Sequence, residues 1–283
     1  MFGSHLSIAG GMHNAVTEAT RLGFDTVQVF TKNQQQWAAK PLGAEAIAAW
    51  KAAVKAAGFK QTVSHDSYLI NLASADDTLW EKSVAAFAEE VSRCDQLGIQ
   101  LLVTHPGAHL GTGEDHGLKR VAKGLDAVFK QLGTTSTTTV CLEITAGQGT
   151  SLGYKLEHLA DIISQSKFPE RLAVCLDTAH LLAAGYDFRG ALFPGFLKQI
   201  KSTVGIKTVK CLHLNDSKKD LGTRVDRHEH IGHGFVGLEG FRPIVNEPAF
   251  AKIPKILETA KEKNEQGEDW DAINLKSLKQ LIG

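Results

Sequence analysis

The stretch Val209-Lys210-Cys211-Leu212-His213-Leu214-Asn215-Asp216, followed ten residues later by Asp226-Arg227-His228, has the composition of a metal-binding segment. An apolar run ends on a histidine, then breaks into a polar loop that delivers an aspartate and a second histidine. Imidazole and carboxylate groups supplied by a rigid strand and the loop it feeds suit zinc or a similar divalent ion. In an extended segment residues two apart point the same way, so Asp226 and His228 address one point. Taken alone, the stretch reads equally well as a strand running into a solvated loop.

Other runs end the same way. Gln61 to His65, Leu101 to His105, Val140 to Glu143, Leu172 to Asp177 and Ile253 to Glu258 are all strand-like and close on a group that binds metals. A strand-end histidine can simply cap a loop, and a strand-end glutamate can pair with a lysine. With His213 included, that account needs six uncoupled coincidences in succession. His180, three positions past Asp177 in what reads as a loop, joins Asp226 and His228 to bring the set to nine. A single tetrahedral zinc takes about four ligands. Two or three ions sharing carboxylates account for the surplus, and clustered ions about 4 Å apart are a usual device for phosphoester hydrolysis.

Such a set needs a scaffold that brings strand ends together. Strand candidates end near residues 5, 30, 65, 105, 143, 177, 213 and 258. Helical patterns alternate with them over 14–22, 44–57, 80–97, 117–132, 156–165 and 196–204, with a last helix around 275–281. Strands alternating with helices, without a Pro- or Ser-rich linker, predict an α/β protein: a single-domain (β/α)8 TIM barrel over residues 1–283. Its active site would lie at the C-terminal ends of the strands. An open doubly wound sheet is the alternative, weakened by the absence of a Gly-x-Gly-x-x-Gly fingerprint.

Composition narrows the class further. Hydrophobic residues make up 43% and charged residues 22%, as in ordinary globular proteins. Lys+Arg and Asp+Glu balance at 31 each, so net charge argues neither for nor against a nucleic-acid partner. The four cysteines (Cys94, Cys141, Cys175, Cys211) are widely spaced and read as buried free thiols in a reducing compartment. Residues 1–5 lack a basic leader and an apolar core, and no segment is long and apolar enough to span a bilayer. The expected location is cytoplasmic. His5, at the first strand's end, is expected to line the pocket or orient a ligand. His13, His109, His116, His158, His230 and His233 are expected in solvated or capping roles.

The order and content of these motifs resemble the endonuclease IV family of apurinic/apyrimidinic endonucleases. The pieces that carry the resemblance begin with Phe30-Thr31-Lys32-Asn33-Gln34, His65-Asp66-Ser67-Tyr68-Leu69-Ile70-Asn71-Leu72 and His105-Pro106-Gly107. They continue with Glu143-Ile144-Thr145-Ala146-Gly147-Gln148-Gly149, Leu176-Asp177-Thr178-Ala179-His180 and His213-Leu214-Asn215-Asp216-Ser217. Asp226-Arg227-His228, Ile231-Gly232-His233-Gly234 and Leu257-Glu258-Thr259 complete the series. In family order they cover about residues 3 to 260.

The resemblance implies a three-zinc cluster. Glu143 would bridge two zincs and be the catalytic carboxylate, with His65 and His105 on one ion and Asp177, His213 and Glu258 on the other. His180, Asp226 and His228 would hold the third. The implied partner is duplex DNA containing abasic sites; a monomer is the default for this architecture. The implied reaction cuts the phosphodiester 5′ to the lesion, leaving a 3′-hydroxyl and a 5′-deoxyribose phosphate. An abasic nucleotide has no base to unstack, so extruding it costs less than extruding a normal one. Tyr68 and Leu69 would wedge into the duplex while Asn33, Gln34 and Gln35 reach the minor groove. Without the resemblance those residues read as a capped loop holding one buried aromatic.

Two departures stand out. Ile144 occupies a position that is commonly polar in the family, and its side chain is expected to point away from the ligands. Gln34-Gln35-Gln36 stands where some members carry an arginine, which weakens the expected wedge. Two other classes compete with the nuclease reading. A sugar isomerase or epimerase on a related barrel would leave the third ligand set surplus. A non-catalytic DNA-damage binding protein would need few of these ligands.

Overall fold

Eight short runs of apolar and β-branched residues pair in parallel and close on themselves. The computed structural model describes residues 1–283. The barrel strands are β1 (Phe2–His5), β2 (Thr26–Phe30), β3 (Val63–His65), β4 (Leu101–Thr104), β5 (Thr139–Glu143), β6 (Leu172–Asp177), β7 (Val209–His213) and β10 (Lys255–Leu257). They follow one another around the barrel in chain order, and β10 closes it against β1. The remaining strands, β8 (Asp216–Ser217) and β9 (His228–Glu229), form an antiparallel pair in the segment after β7. The helices are α1 (Met12–Arg21), α2 (Ala44–Ala57), α3 (Asp77–Leu97), α4 (Glu114–Leu132), α5 (Leu156–Gln165), α6 (Thr178–Ala184), α7 (Phe193–Thr203), α8 (Arg242–Asn246) and α9 (Trp270–Gln280). None is long and apolar enough to cross a membrane.

Alternation along each strand divides its residues between two cores. Val27, Val29, Leu102, Val140, Leu142 and Leu176 join the large cluster that packs the barrel against its helices. The opposite face contributes Val63, Val103, Cys141, Cys175, Cys211 and Ile256 to a separate cluster inside the barrel. The candidate ligands continue the inward face. His65, His105, Glu143, Asp177, His213 and Glu258 each stand two residues beyond one of those six. One parity therefore builds the barrel's filling and the chemistry at its mouth.

Three expectations need correction. His105 and Glu258 lie one residue past their strands, because β4 ends at Thr104 and β10 at Leu257. The Asp177-Thr178-Ala179-His180 segment is not a loop. Asp177 ends β6 and caps α6, its side chain accepting the His180 amide at 2.8 Å. Gly185 then ends α6 in the left-handed region at φ 101°, where a side chain would be strained. The short helix has the consequence that Asp177 and His180 are held as one rigid unit.

Candidate metal centre

At the mouth of the barrel one buried carboxylate faces two ways. Glu143 Oε2 lies 3.2 Å from His65 Nε2 and 3.3 Å from His105 Nε2. Its Oε1 lies 3.1 Å from His213 Nδ1 and 3.1 Å from His180 Nδ1. His213 Nδ1 is also 3.1 Å from Glu258 Oε2 and 3.9 Å from Asp177 Oδ2. The structure thus brings together His65, His105 and Glu143 as one group, and Glu143, Asp177, His213 and Glu258 as a second.

A third group adjoins them. His180 Nε2 lies 3.1 Å from Asp226 Oδ2, and His228 Nε2 lies 3.4 Å from Asp226 Oδ1. Asp177 Oδ2 stands 3.7 Å from the same His228 nitrogen, and Asp177, His180 and His228 themselves cluster. Asp177 therefore faces both the second and the third groups, where sequence reasoning had given it only to the second. His105 and Asp226 are the members most open to solvent; Glu143, Asp177 and His213 are fully buried.

The ring nitrogens are oriented by bonds on their far sides. His65 Nδ1 donates to the Asp66 carbonyl at 3.0 Å, and His213 Nε2 to the Gln28 side-chain carbonyl at 2.9 Å. His180 Nδ1 is 2.9 Å from the Ile144 carbonyl. An N–H fixed on one side of a neutral imidazole leaves the lone pair on the other, which is how ligating histidines are held. His180 Nε2 and His228 Nε2 are buried without a hydrogen-bond partner, although Asp226 stands close to both. A buried polar atom left unpaired costs about 1–3 kcal/mol. Nitrogens that face a carboxylate out of hydrogen-bonding line fit a cation placed between them.

The electrostatics fit a cation as well. Burial alone lowers the His65 imidazole, but the Glu143 carboxylate outweighs it and His65 stands at about 9. Burial opposes the charging of His180 and His213 too. Asp177 lifts the first, and Glu258 with Glu143 lifts the second, well above the ordinary imidazole value. Burial would raise Glu143 and Glu258, yet the imidazoles hold both well below the usual carboxylate range. Asp226, raised by burial and lowered by His180, comes to about 2. The carboxylates thus stay ionised and draw positive charge onto the rings. Divalent ions would take the place of those protons.

Several supporting residues were missed in the sequence. Gln28, buried on the inward face of β2, donates to Glu258 Oε1 at 2.6 Å while accepting from His213. Its signal was a polar residue at the centre of Thr26-Val27-Gln28-Val29-Phe30. Asn215 donates to Asp177 Oδ2 at 2.6 Å and accepts the Glu258 amide at 2.7 Å. Asp216 accepts the amides of Gly232 at 2.9 Å and Val236 at 2.8 Å, folding the loop that carries His228. His5 lines the pocket as expected, with Nδ1 3.4 Å from Glu258 and 2.9 Å from Gln28. Ile144 is buried in the outer core, pointing away from the candidate ligands, and contributes only its carbonyl.

The histidines expected in solvated or capping roles are divided. His109 caps its loop, Nδ1 accepting the amides of Gly111 and Gly113. His158, whose Nδ1 accepts the Gly153 amide at 3.2 Å, and His230 are both buried. The first lies 3.2 Å from Glu114, and the second stacks on Trp270 with ring centroids 4.1 Å apart.

Beside the centre lies a cavity of about 250 Å³, walled in part by Tyr68, Asn71, His105, Gln148 and Asp226. Tyr68 is 64% exposed at its rim, so the reading of a loop with a buried aromatic does not hold. Leu69 is half-buried, and Asn33 and Gln35 are exposed. Ser67 Oγ donates to the Gln34 carbonyl at 2.6 Å, which ties the loop after β2 to the loop after β3. Asn33, Gln34, Gln35, Tyr68 and Leu69 thus belong to one joined surface.

The family model for xylose isomerase-like TIM barrels matches residues 16–281. A probable endonuclease 4 of Chloroflexus aggregans is 49% identical over 99% of this chain and 97% of its own. Another, of Geobacter sulfurreducens, is 46% identical over 99% of this chain and 94% of its own. Among solved structures, endonuclease IV from Thermus thermophilus superposes with a TM-score of 0.86 at 36% identity, covering 99% of this chain and 98% of that one. A D-tagatose 3-epimerase-like protein superposes at 0.72 with 16% identity over 99% of this chain and 96% of that one, a likeness of fold alone.

Proposed function

The chain belongs to the endonuclease IV family, and from that premise we propose that it cuts duplex DNA at abasic sites. It is a metal-dependent nuclease of DNA repair. In our reading it hydrolyses the phosphodiester 5′ to the lesion, leaving a 3′-hydroxyl and a 5′-deoxyribose phosphate, and residues 1–283 act as one monomeric catalytic domain.

The observation that carries this reading is the position of Glu143, whose two oxygens address different pairs of imidazoles. We assign His65, His105 and Glu143 to one zinc ion, and Glu143, Asp177, His213 and Glu258 to a second. His180, Asp226 and His228 hold a third, with Asp177 alongside. Zinc ions clustered in this way supply Lewis acidity toward phosphoryl oxygens and acidify bound water near neutral pH.

The chain's own residues do the rest. Gln28, Asn215 and the carbonyls of Asp66 and Ile144 fix the ligands before substrate arrives, so no reorganisation is needed during the reaction. The two more exposed members, His105 and Asp226, border the cavity that would receive the extruded sugar–phosphate. Tyr68 and Leu69 fill the space left in the stack, and Asn33, Gln34 and Gln35 follow the groove beside it. Metal analysis together with nicking of a duplex carrying one abasic analogue tests the whole reading. Three zincs per chain and a single cut 5′ to the lesion are expected. One ion, no cut and turnover of a ketose would favour an epimerase, whose chemistry leaves the group around His180 and His228 without a task.

A further inference from the structure

Directly beneath the metal centre, three of the eight residues of the barrel's inner cluster are cysteines. Cys141, Cys175 and Cys211 stand two residues before Glu143, Asp177 and His213, on the same inward face of β5, β6 and β7. All three are free and fully buried. Cys175 and Cys211 are register partners on neighbouring strands. Their Sγ atoms and a ring nitrogen of His213 all lie within 4.8 Å of one another. Val103, Ala173 and Ile256 are apolar neighbours of these thiols in the same buried cluster.

This donor set differs in kind from the one above it. Carboxylates with imidazoles suit zinc and harder ions, whereas two thiols and one imidazole, which also take zinc, bind the softer thiophilic cations more tightly. We infer that Cys175, Cys211 and His213 form a second metal site, selective for a thiophilic d10 cation such as cadmium or monovalent copper, that shares His213 with the centre above. On binding, both thiols release their protons to solvent and the cation takes two thiolates and a neutral imidazole. His213 has one nitrogen committed to Gln28. A cation in the lower site therefore takes the remaining nitrogen from the upper one. Thiophilic metals thus inhibit this protein from below, by removing a ligand, without touching the face that meets substrate.

Cadmium is the probe, added to the zinc-loaded protein. The expected result is a near-ultraviolet thiolate-to-cadmium absorption that saturates at one ion per chain, with one zinc released to a chromogenic chelator. Cys175→Ala and Cys211→Ala should each lose that absorption and release no zinc at the same dose, while keeping wild-type zinc content. Cys94→Ala, which removes a buried thiol on α3, should respond as wild type does. Absorption absent from the wild type, or surviving in both the Cys175 and Cys211 variants, overturns the inference and leaves these thiols as core packing. Cadmium NMR of the wild type needs no variant: a sulfur-ligated resonance is expected, and one confined to the oxygen and nitrogen range overturns the site. A protein that shows the sulfur-ligated signal yet fails to nick abasic DNA would retain this site and lose the nuclease reading.

Discussion

His213 donates from Nε2 to the side-chain carbonyl of Gln28 at 2.9 Å, and this bond turns its Nδ1 toward Glu143 and Glu258, each 3.1 Å away. Gln28 also donates to Glu258 at 2.6 Å, so one neutral amide sets the orientation of two ligand candidates, one ending β7 and one just past β10. Replacing it with leucine keeps the bulk but frees the imidazole to take the wrong tautomer. A partner of this kind is worth about 10- to 100-fold in metal affinity or activity. Gln28→Leu should therefore lose one zinc at a lower chelator concentration than the wild type, and its nicking rate should fall in parallel. Equal zinc retention across a chelator series would show that Gln28 only fills space.

Glu143 is the ligand candidate whose two oxygens face two groups at once. Glu143→Gln keeps the shape but replaces one oxygen with an amide nitrogen that cannot accept a metal bond. Nicking of an abasic duplex should fall by at least about 100-fold, the upper end of the loss for a supporting partner. Metal analysis should show at least one ion missing. Undiminished cutting would remove Glu143 from the mechanism.

Much of this site is legible in the sequence because strand parity does two jobs. A residue two beyond an inward-facing Val63 or Ile256 must also face inward, so a terminal His65 or Glu258 is placed by the same alternation that packs the barrel. What was not legible depends on neutral or backbone groups. Gln28 and Asn215 are not ligands by type, and nothing in their identity says which carboxylate they will meet. The Ile144 carbonyl has no signature at all. The helix α6 was hidden because its cap, Asp177, is also a strand end and a ligand candidate. Seven residues are too few for a periodic pattern to show.

Metal loading should reverse the protein's response to pH. Without metal, His65 stands at about 9 against an ordinary 6.5, so its stabilising charge is fully present below about pH 6.5 and is lost as pH rises through 9. Asp66, pushed up to about 7 by burial, acts in the same direction at lower pH. Asp226 opposes both: at about 2 against an ordinary 3.8, its contribution is present above 3.8 and lost as pH falls through 2. Ions need deprotonated ligands and bind more tightly as pH rises. The chelated protein's melting temperature should thus decline from pH 6.5 to 9 while that of the loaded protein holds or climbs. A gap between the two that stays constant over that range would mean that metal binding does not displace these protons.

Substitution of Tyr68 should separate substrate engagement from metal chemistry. Its ring is 64% exposed, yet lies 5.7 Å from His65 and 5.8 Å from Phe30, centroid to centroid, so it is braced from behind while its outer face stays free. A braced aromatic at the rim of a cavity can replace a missing base in the stack, and stacking of this kind is worth about 1–3 kcal/mol. Tyr68→Ala should weaken binding of an abasic duplex roughly 5- to 150-fold by the same measure. Zinc content and hydrolysis of a small aryl phosphodiester, which needs no wedge, should stay near wild type. Binding should also weaken as salt rises, with the same slope in both proteins, since the wedge neutralises no phosphate. If the small phosphodiester slowed as much as the duplex, Tyr68 would be acting through His65 on the metal centre, and the wedge would have to be sought in Leu69.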